Sequence, residues 1–353
     1  MDTDEADRIE GTPHPRAATT LIGHADHERD LLDAYRSGRL PHAMIFGGPT
    51  GIGKATLAWR LAKFLLTNPL PQTPAVAEAR DLSVAPGAKA AAQVAALSHP
   101  DVALLRREVN EKTKRFYTEI RADDVRKAIS LFQRAAGAGG YRICIVDSAE
   151  DLNRSSANAL LKLIEEPPPR SLFLLIAHRP GLILPTIRSR SRLVRLKALT
   201  GDEIARVVGT LGPPWTEAGE AAIAAACAQA QGSVHDALRL LGHSGVELDA
   251  MVGRLLERLP QVDWGQVHRL ADQVTGRDGE QAFEIATTAI FDWLSRRVRD
   301  TGQVEPRRLA PYAEVWEKIA ADARETDALN LDKRPLILSL FADLAAAVRA
   351  ASA

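Results

Sequence analysis

Gly48-Pro49-Thr50-Gly51-Ile52-Gly53-Lys54 matches the first seven positions of the phosphate-loop pattern G-x-x-x-x-G-K-[ST]. The eighth position, where a hydroxyl should stand, is Ala55. Glycines let a backbone wrap phosphate oxygens closely with its N–H groups, and the lysine adds positive charge. The missing Ser or Thr would normally place Mg²⁺ for hydrolysis. Thr56 is no ready substitute, because adjacent helical residues point roughly 100° apart. Gly48, Thr50, Gly51, Gly53 and Lys54 can therefore cradle ATP or ADP, with Ala55 and Thr56 opening the following helix. The metal lacks its usual hydroxyl, so no metal site is expected. The plainer alternative is a glycine-rich turn with an incidental lysine.

A second group lies at Asp147-Ser148-Ala149-Glu150. A carboxylate at the tip of a central strand beside a phosphate loop is placed to order Mg²⁺. Hydrolytic ATPases often follow it with a Glu that polarises water. Here the next residue is Ser148, a poor general base. Glu150 stands two residues further on, past the strand end, and need not reach the same point. The alternative for Asp147 is a cap on the next turn.

These residues need elements to hold them. Ala43 to Phe46 reads as a buried strand entering the loop, and Leu57, Leu61, Phe64 and Leu65 recur at helical spacing after it. Strand, glycine turn and helix form the setting that makes a phosphate loop credible. Further strands are predicted at Val102–Leu105, Ile143–Val146 and Ser171–Ala177, Ile143–Val146 being a continuous apolar run buried on both faces. Helices are predicted at about 27–36, 121–136 and 155–165, the last stopped by Pro167-Pro168-Pro169. Alternating strands and helices imply an α/β fold with a central parallel sheet. After about Leu199 strand signals vanish and helical patterns run to the end.

With 45 basic and 45 acidic residues among 353, nothing pulls the whole chain toward nucleic acid or an anionic membrane. Cys144 and Cys227 lie in apolar segments and read as buried thiols of a reducing compartment. The acidic N-terminus has no apolar core of a signal peptide, and no apolar run reaches the roughly 18 residues that span a bilayer. A cytoplasmic protein without membrane contact is expected. Trp264, Trp293 and Trp316 read as core or interface packing, and His42, His178 and His235 have no metal-ligand spacing.

Asn158-Ala159-Leu160-Leu161-Lys162-Leu163-Ile164-Glu165-Glu166-Pro167-Pro168 resembles the signature helix of the bacterial sliding-clamp loaders of DNA polymerase III, members of the AAA+ superfamily. Leu184 to Ser191 resembles their S-R-C motif, with Ser191 in place of Cys. Leu40-Pro41-His42-Ala43 and His99-Pro100-Asp101 also fit, so the resemblance covers roughly residues 20–200. Asp147 to Asn153 resembles the delta-prime type of subunit more than the motor type, which carries Asp-Glu there.

Polar residues 1–18, with Gly11, Pro13 and Pro15, are expected to form a disordered tail, followed by an α/β domain at 19–199 and, where strand signals vanish, helical domains at 200–243 and 244–353; the resemblance implies that these three are an AAA+ P-loop domain, a lid and a collar. It implies a ring with gamma/tau and delta subunits that places the sliding clamp on primed DNA. It also implies that Arg190 reaches a neighbour's nucleotide as an arginine finger in trans. Arg179, Arg188, Arg192, Arg195 and Lys197 surround Arg190. They are read either as a solvated strand edge or, more weakly, as DNA-backbone contacts. The family's four-Cys zinc module is missing from the Cys-free stretch 68–98, so zinc is not expected.

The family's hydrolytic members place a polar sensor where this chain has Ala177, and a sensor arginine where Gly232-Ser233-Val234-His235-Asp236 has His235. Ala55, Ser148, Ala177 and His235 thus all depart from hydrolytic types. The expected function is a structural ring member with weak or absent ATPase. The alternatives are an active gamma/tau-like motor or another AAA+ ATPase, and a self-contained DNA-binding protein.

Overall fold

The computed structural model describes all residues except 1–4, 6–7, 10, 86, 111–115, 133–139, 243–244, 277–278, 303–308, 330 and 353. Two compact units emerge: residues 1–213 with 230–235, and residues 214–229 with 236–353.

The first unit is built on a five-stranded sheet. Its strands are β1 (Ala43–Gly47), β2 (Val102–Leu105), β3 (Arg142–Asp147), β4 (Ser171–Ala177) and β5 (Arg192–Arg195). They are parallel and lie in the order β2-β3-β4-β1-β5. Continuous aliphatic runs form the three central strands because both faces of the sheet are covered. Side chains alternate between the faces. Met44, Phe46, Ile143, Ile145, Leu172 and Leu174 face one apolar layer. Ala43, Ile45, Cys144, Val146, Phe173 and Leu175 face the other.

The first layer is covered by α1 (Ala25–Arg36) and α2 (Lys54–Thr67), through Leu31, Leu32, Leu57, Leu61 and Phe64. The opposite layer is covered by α5 (Ala122–Phe132), α6 (Arg154–Glu165) and α7 (Pro185–Arg190). Asn153 caps α6, its side chain accepting from the Ser156 N–H at 2.8 Å.

The Cys-free stretch folds as two short helices, α3 (Pro74–Glu78) and α4 (Lys89–Ala95). Val76, Leu82 and Val94 bury into the α2 layer. Guanidinium groups tie the stretch down: Arg36 donates to the Val76 and Ala77 carbonyls at 3.0 and 3.1 Å, and Arg16 to the Ala95 carbonyl at 2.9 Å.

Polarity suggests a disordered tail at 1–18, and the residues described there include buried ones. Among the described ones, Thr12 and His14 are buried, and His14 packs edge-on against Trp59 at 6.2 Å between ring centroids. The Glu5 carboxylate is buried between Arg16 and Arg106, at 2.9 and 3.0 Å. A polar segment becomes ordered here because its charges find partners far along the chain.

α8 (Gly201–Leu211) closes the first unit, started by a capping box between Thr200 and Glu203. The division at 199/200 and 243/244 expected from composition differs from the compact units. The α8 helix and the turn at 230–235 group with the sheet, and the Leu199 N–H donates to the Gly232 carbonyl at 3.0 Å.

The second unit is helical: α9 (Glu220–Gln229), most of α10 (Val234–Leu241), α11 (Gly245–Glu257), α12 (Trp264–Gln273), α13 (Gly279–Gly302), α14 (Ala310–Leu329) and α15 (Lys333–Ser352). Its core joins α11 to α15 through residues such as Val252, Leu270, Ile290, Ile337 and Phe341. Trp293 is buried against Tyr312, and Trp316 packs on Phe291, whereas Trp264 is 45% exposed. No helix among the described residues is long and apolar enough to cross a membrane.

Candidate nucleotide site

The sheet brings the carboxyl ends of three neighbouring strands together. Gly47 of β1 pairs with Ala177 of β4, and Ile176 of β4 pairs with Asp147 of β3. Such strand ends are where α/β proteins bind ligands. The glycine loop leaves β1 here and turns into α2, and the Gly48 N–H still bonds to the Ala177 carbonyl at 3.2 Å. Gly51 and Gly53 adopt φ of +72° and +96°, which side chains other than glycine rarely tolerate. A Cβ on Gly51 would also lie 2.7 Å from the His235 nitrogen.

Lys54 is the first residue of α2 and is buried, its Nζ donating to the Pro49 carbonyl at the other side of the loop. Burial pushes its pKa down to about 8, against the opposing pull of Asp147 and Glu150. The lysine thus stays largely protonated near pH 7. Pro49 and Thr50 are exposed at the rim, Gly48 is half-buried, and Ala55 and Thr56 sit half-buried in the first turn of α2. Ala55 packs against the apolar layer.

Asp147 is buried at the tip of β3, and the Lys54 charge feels it. Ser148 follows it, also buried. Ala177 is fully buried at the tip of β4. His235 lies against Gly51, and the Val234 N–H donates to the Gly51 carbonyl at 2.9 Å. The four departures at 55, 148, 177 and 235 therefore surround one site.

Three residues of this site escape a reading of the sequence. His24, just before α1, is buried with its Nε2 2.6 Å from the Ile52 carbonyl. A carbonyl only accepts, so Nε2 carries the proton; burial holds the ring's pKa below its ordinary value. Glu150 does reach the site after all: its Oε1 accepts from the His178 and Arg179 N–H groups at 2.8 and 3.0 Å. His178 is held neutral, its pKa lowered to about 4 by burial and then by the Lys54 charge. Its Nδ1 is buried with no hydrogen-bond partner. No motif marks His24, and spacing alone does not fix the turn after β3 that brings Glu150 to the site.

Arg190 stands elsewhere. It ends α7, is 44% exposed in its side chain and pairs with Glu165 at 3.0 Å. Its other partners are Thr186 and Ser189, none of them in the glycine loop. Arg192 and Arg195 lie exposed along the edge strand β5.

The residues present fit a phosphate better than a metal. Loop N–H groups and a buried ammonium are an anion cradle, while Ala55 offers no ligand oxygen. No group of three or more His, Cys, Asp or Glu side chains among the described residues could hold a metal ion.

A parallel sheet ordered 2-3-4-1-5, a phosphate loop after the first strand and an acidic tip on the third define an α/β domain of the P-loop class. More narrowly, the chain belongs to the family described as DNA polymerase III, delta subunit, whose profile matches residues 23–200. It is 40% identical over 149 residues to the DNA polymerase III subunit delta' of Pseudomonas aeruginosa, covering 42% of this chain and 41% of that one. It is 30% identical over 163 residues to the delta' subunit of Escherichia coli K12, covering 46% and 44%. The gamma/tau subunit of Mycobacterium bovis is 32% identical over 182 residues, covering 50% and 28%. The matched stretches thus span less than half the length of these relatives. Among solved structures, a DNA polymerase III gamma subunit-related protein of Thermotoga maritima aligns over 90% of this chain and 99% of its own, at 17% identity and a TM-score of 0.40.

Proposed function

We propose that this chain is a delta-prime-type subunit of the DNA polymerase III clamp loader, a ring member that does not run its own hydrolytic site. The observation that carries this is the clustering of Ala55, Ser148, Ala177 and His235 around an otherwise intact loop and Lys54. One altered position could be offset by a neighbour. Here the metal hydroxyl, the water-polarising carboxylate, the strand-end sensor and the guanidinium sensor are all replaced at one place.

The electrostatics agree. His178 and His24 are held neutral, and Glu150 is engaged with backbone N–H groups. Lys54 and the loop still suit a phosphate, so ADP or ATP binding without turnover fits the site. Arg190, exposed and partnered by Glu165, Thr186 and Ser189 rather than by its own loop, fits a role in a neighbour's site.

Gamma/tau and delta subunits would complete the ring, with the sliding clamp and primed DNA as its substrates. The test is reconstitution with gamma/tau and delta subunits of the same organism. ATP-dependent loading of labelled clamp onto primed DNA should require this chain. Equal loading without it would overturn the assignment.

A further inference from the structure

Glu165 is the last residue of α6, and its carboxylate forms an ion pair with Arg190 Nη2 at 3.0 Å. Arg190 Nη1 donates to the Thr186 carbonyl at 3.2 Å and the Ser189 hydroxyl at 3.3 Å. A guanidinium has five N–H donors. The two N–H groups of Nη1 are engaged by hydrogen bonds of this chain and Nη2 by the ion pair with Glu165, which leaves donors over on a side chain still 44% open to solvent.

Helix electrostatics does not account for Glu165. A carboxylate in the last turn faces the negative end of the helix dipole and is disfavoured there. Nor does fold stability account for it, because ion pairs this exposed contribute little. What the pair does is restrict an arginine that would otherwise sample many rotamers.

We propose that Glu165 is a positioning residue for Arg190. It anchors one end of the guanidinium on the α6–α7 surface, so that the remaining donors face the adjacent subunit's nucleotide in one orientation. This rests on the reading of Arg190 as an arginine acting in trans. Thr186 and Ser189 hold the second corner of the same group.

The experiment compares ring complexes reconstituted with wild-type chain, Glu165→Ala, Glu165→Gln, Arg190→Ala and the Glu165→Ala/Arg190→Ala double variant. The readouts are kcat and KM for DNA-stimulated ATP hydrolysis. Glu165→Ala should lower kcat by about 3- to 10-fold with KM for ATP unchanged, the pattern of a misplaced transition-state group. Glu165→Gln keeps an acceptor of the same shape and should retain most of the activity. Adding Glu165→Ala to Arg190→Ala should change nothing further. The melting temperature of the Glu165→Ala chain should not fall.

Wild-type or raised turnover in Glu165→Ala, beside an impaired Arg190→Ala, overturns the positioning role and leaves the role of Arg190 standing. The same fold loss in both backgrounds also overturns it. An Arg190→Ala complex with full activity overturns the trans-acting reading of Arg190, and the positioning role falls with it.

Discussion

Arg190→Ala in an assembled ring is expected to silence the one nucleotide site that this chain serves while leaving the ring intact. An arginine delivered in trans to a transferring phosphoryl group is worth on the order of 10³–10⁵ in rate at its own site. Total DNA-stimulated turnover should therefore drop by that site's share, and further if the sites fire in sequence. Assembly should survive, because the side chain is 44% exposed and its ion pair with Glu165 is a surface one. Such a pair is worth about 1 kcal/mol at most. Arg190→Lys should not rescue turnover, since an ammonium cannot make the planar two-pronged contact of a guanidinium. Steady-state ATPase assays and gel filtration of the same preparations check both halves. Unchanged turnover in Arg190→Ala would remove the finger assignment.

The largest stability effect is expected at Glu28→Ala. Glu28 of α1 accepts from Arg60 Nε of α2 at 2.6 Å, and each side chain is only 6% exposed. Arg60 also donates to the Thr19 carbonyl and lies 3.9 Å from Asp81. Removing the carboxylate strands a guanidinium inside the α1–α2 layer, which costs about 3–5 kcal/mol. Replacing both partners with apolar residues of similar volume, Glu28→Leu with Arg60→Met, should recover most of that loss. Urea unfolding followed by the fluorescence of the buried Trp59 measures it in the first unit. A loss below about 1 kcal/mol in Glu28→Ala would show that the pair is screened as a surface pair is. The pair matters to the site because α2 carries Lys54 at its first turn.

Much of this molecule could be read along the chain. Val102–Leu105 and Ser171–Ala177 match their strands residue for residue, and Ile143–Val146 lies inside β3. Strands buried on both faces must be apolar throughout, so composition alone marks them. The glycine loop was equally legible, because its backbone geometry demands glycine at Gly51 and Gly53.

What stayed hidden depends on partners far apart in the chain. Glu5 is ordered by Arg106, and α3 by hydrogen bonds from Arg36. A helix of five residues, such as α3, is too short to show a period. His24 reaches the loop from a position with no motif around it. Glu150 reaches it because the turn after β3 folds back toward the tip of β4. The placement of α8 with the sheet likewise rests on Leu199 meeting Gly232, a pairing that composition does not show.

The replaced groups around Lys54 carry the central claim, that this chain keeps a nucleotide loop and has lost its chemistry. The most direct measurement is ATP turnover by the purified chain with Mg²⁺ present, beside the Lys54→Ala variant. Both are expected to release phosphate at the same background rate. Turnover well above background that Lys54→Ala abolishes would contradict it and make this chain a motor in its own right.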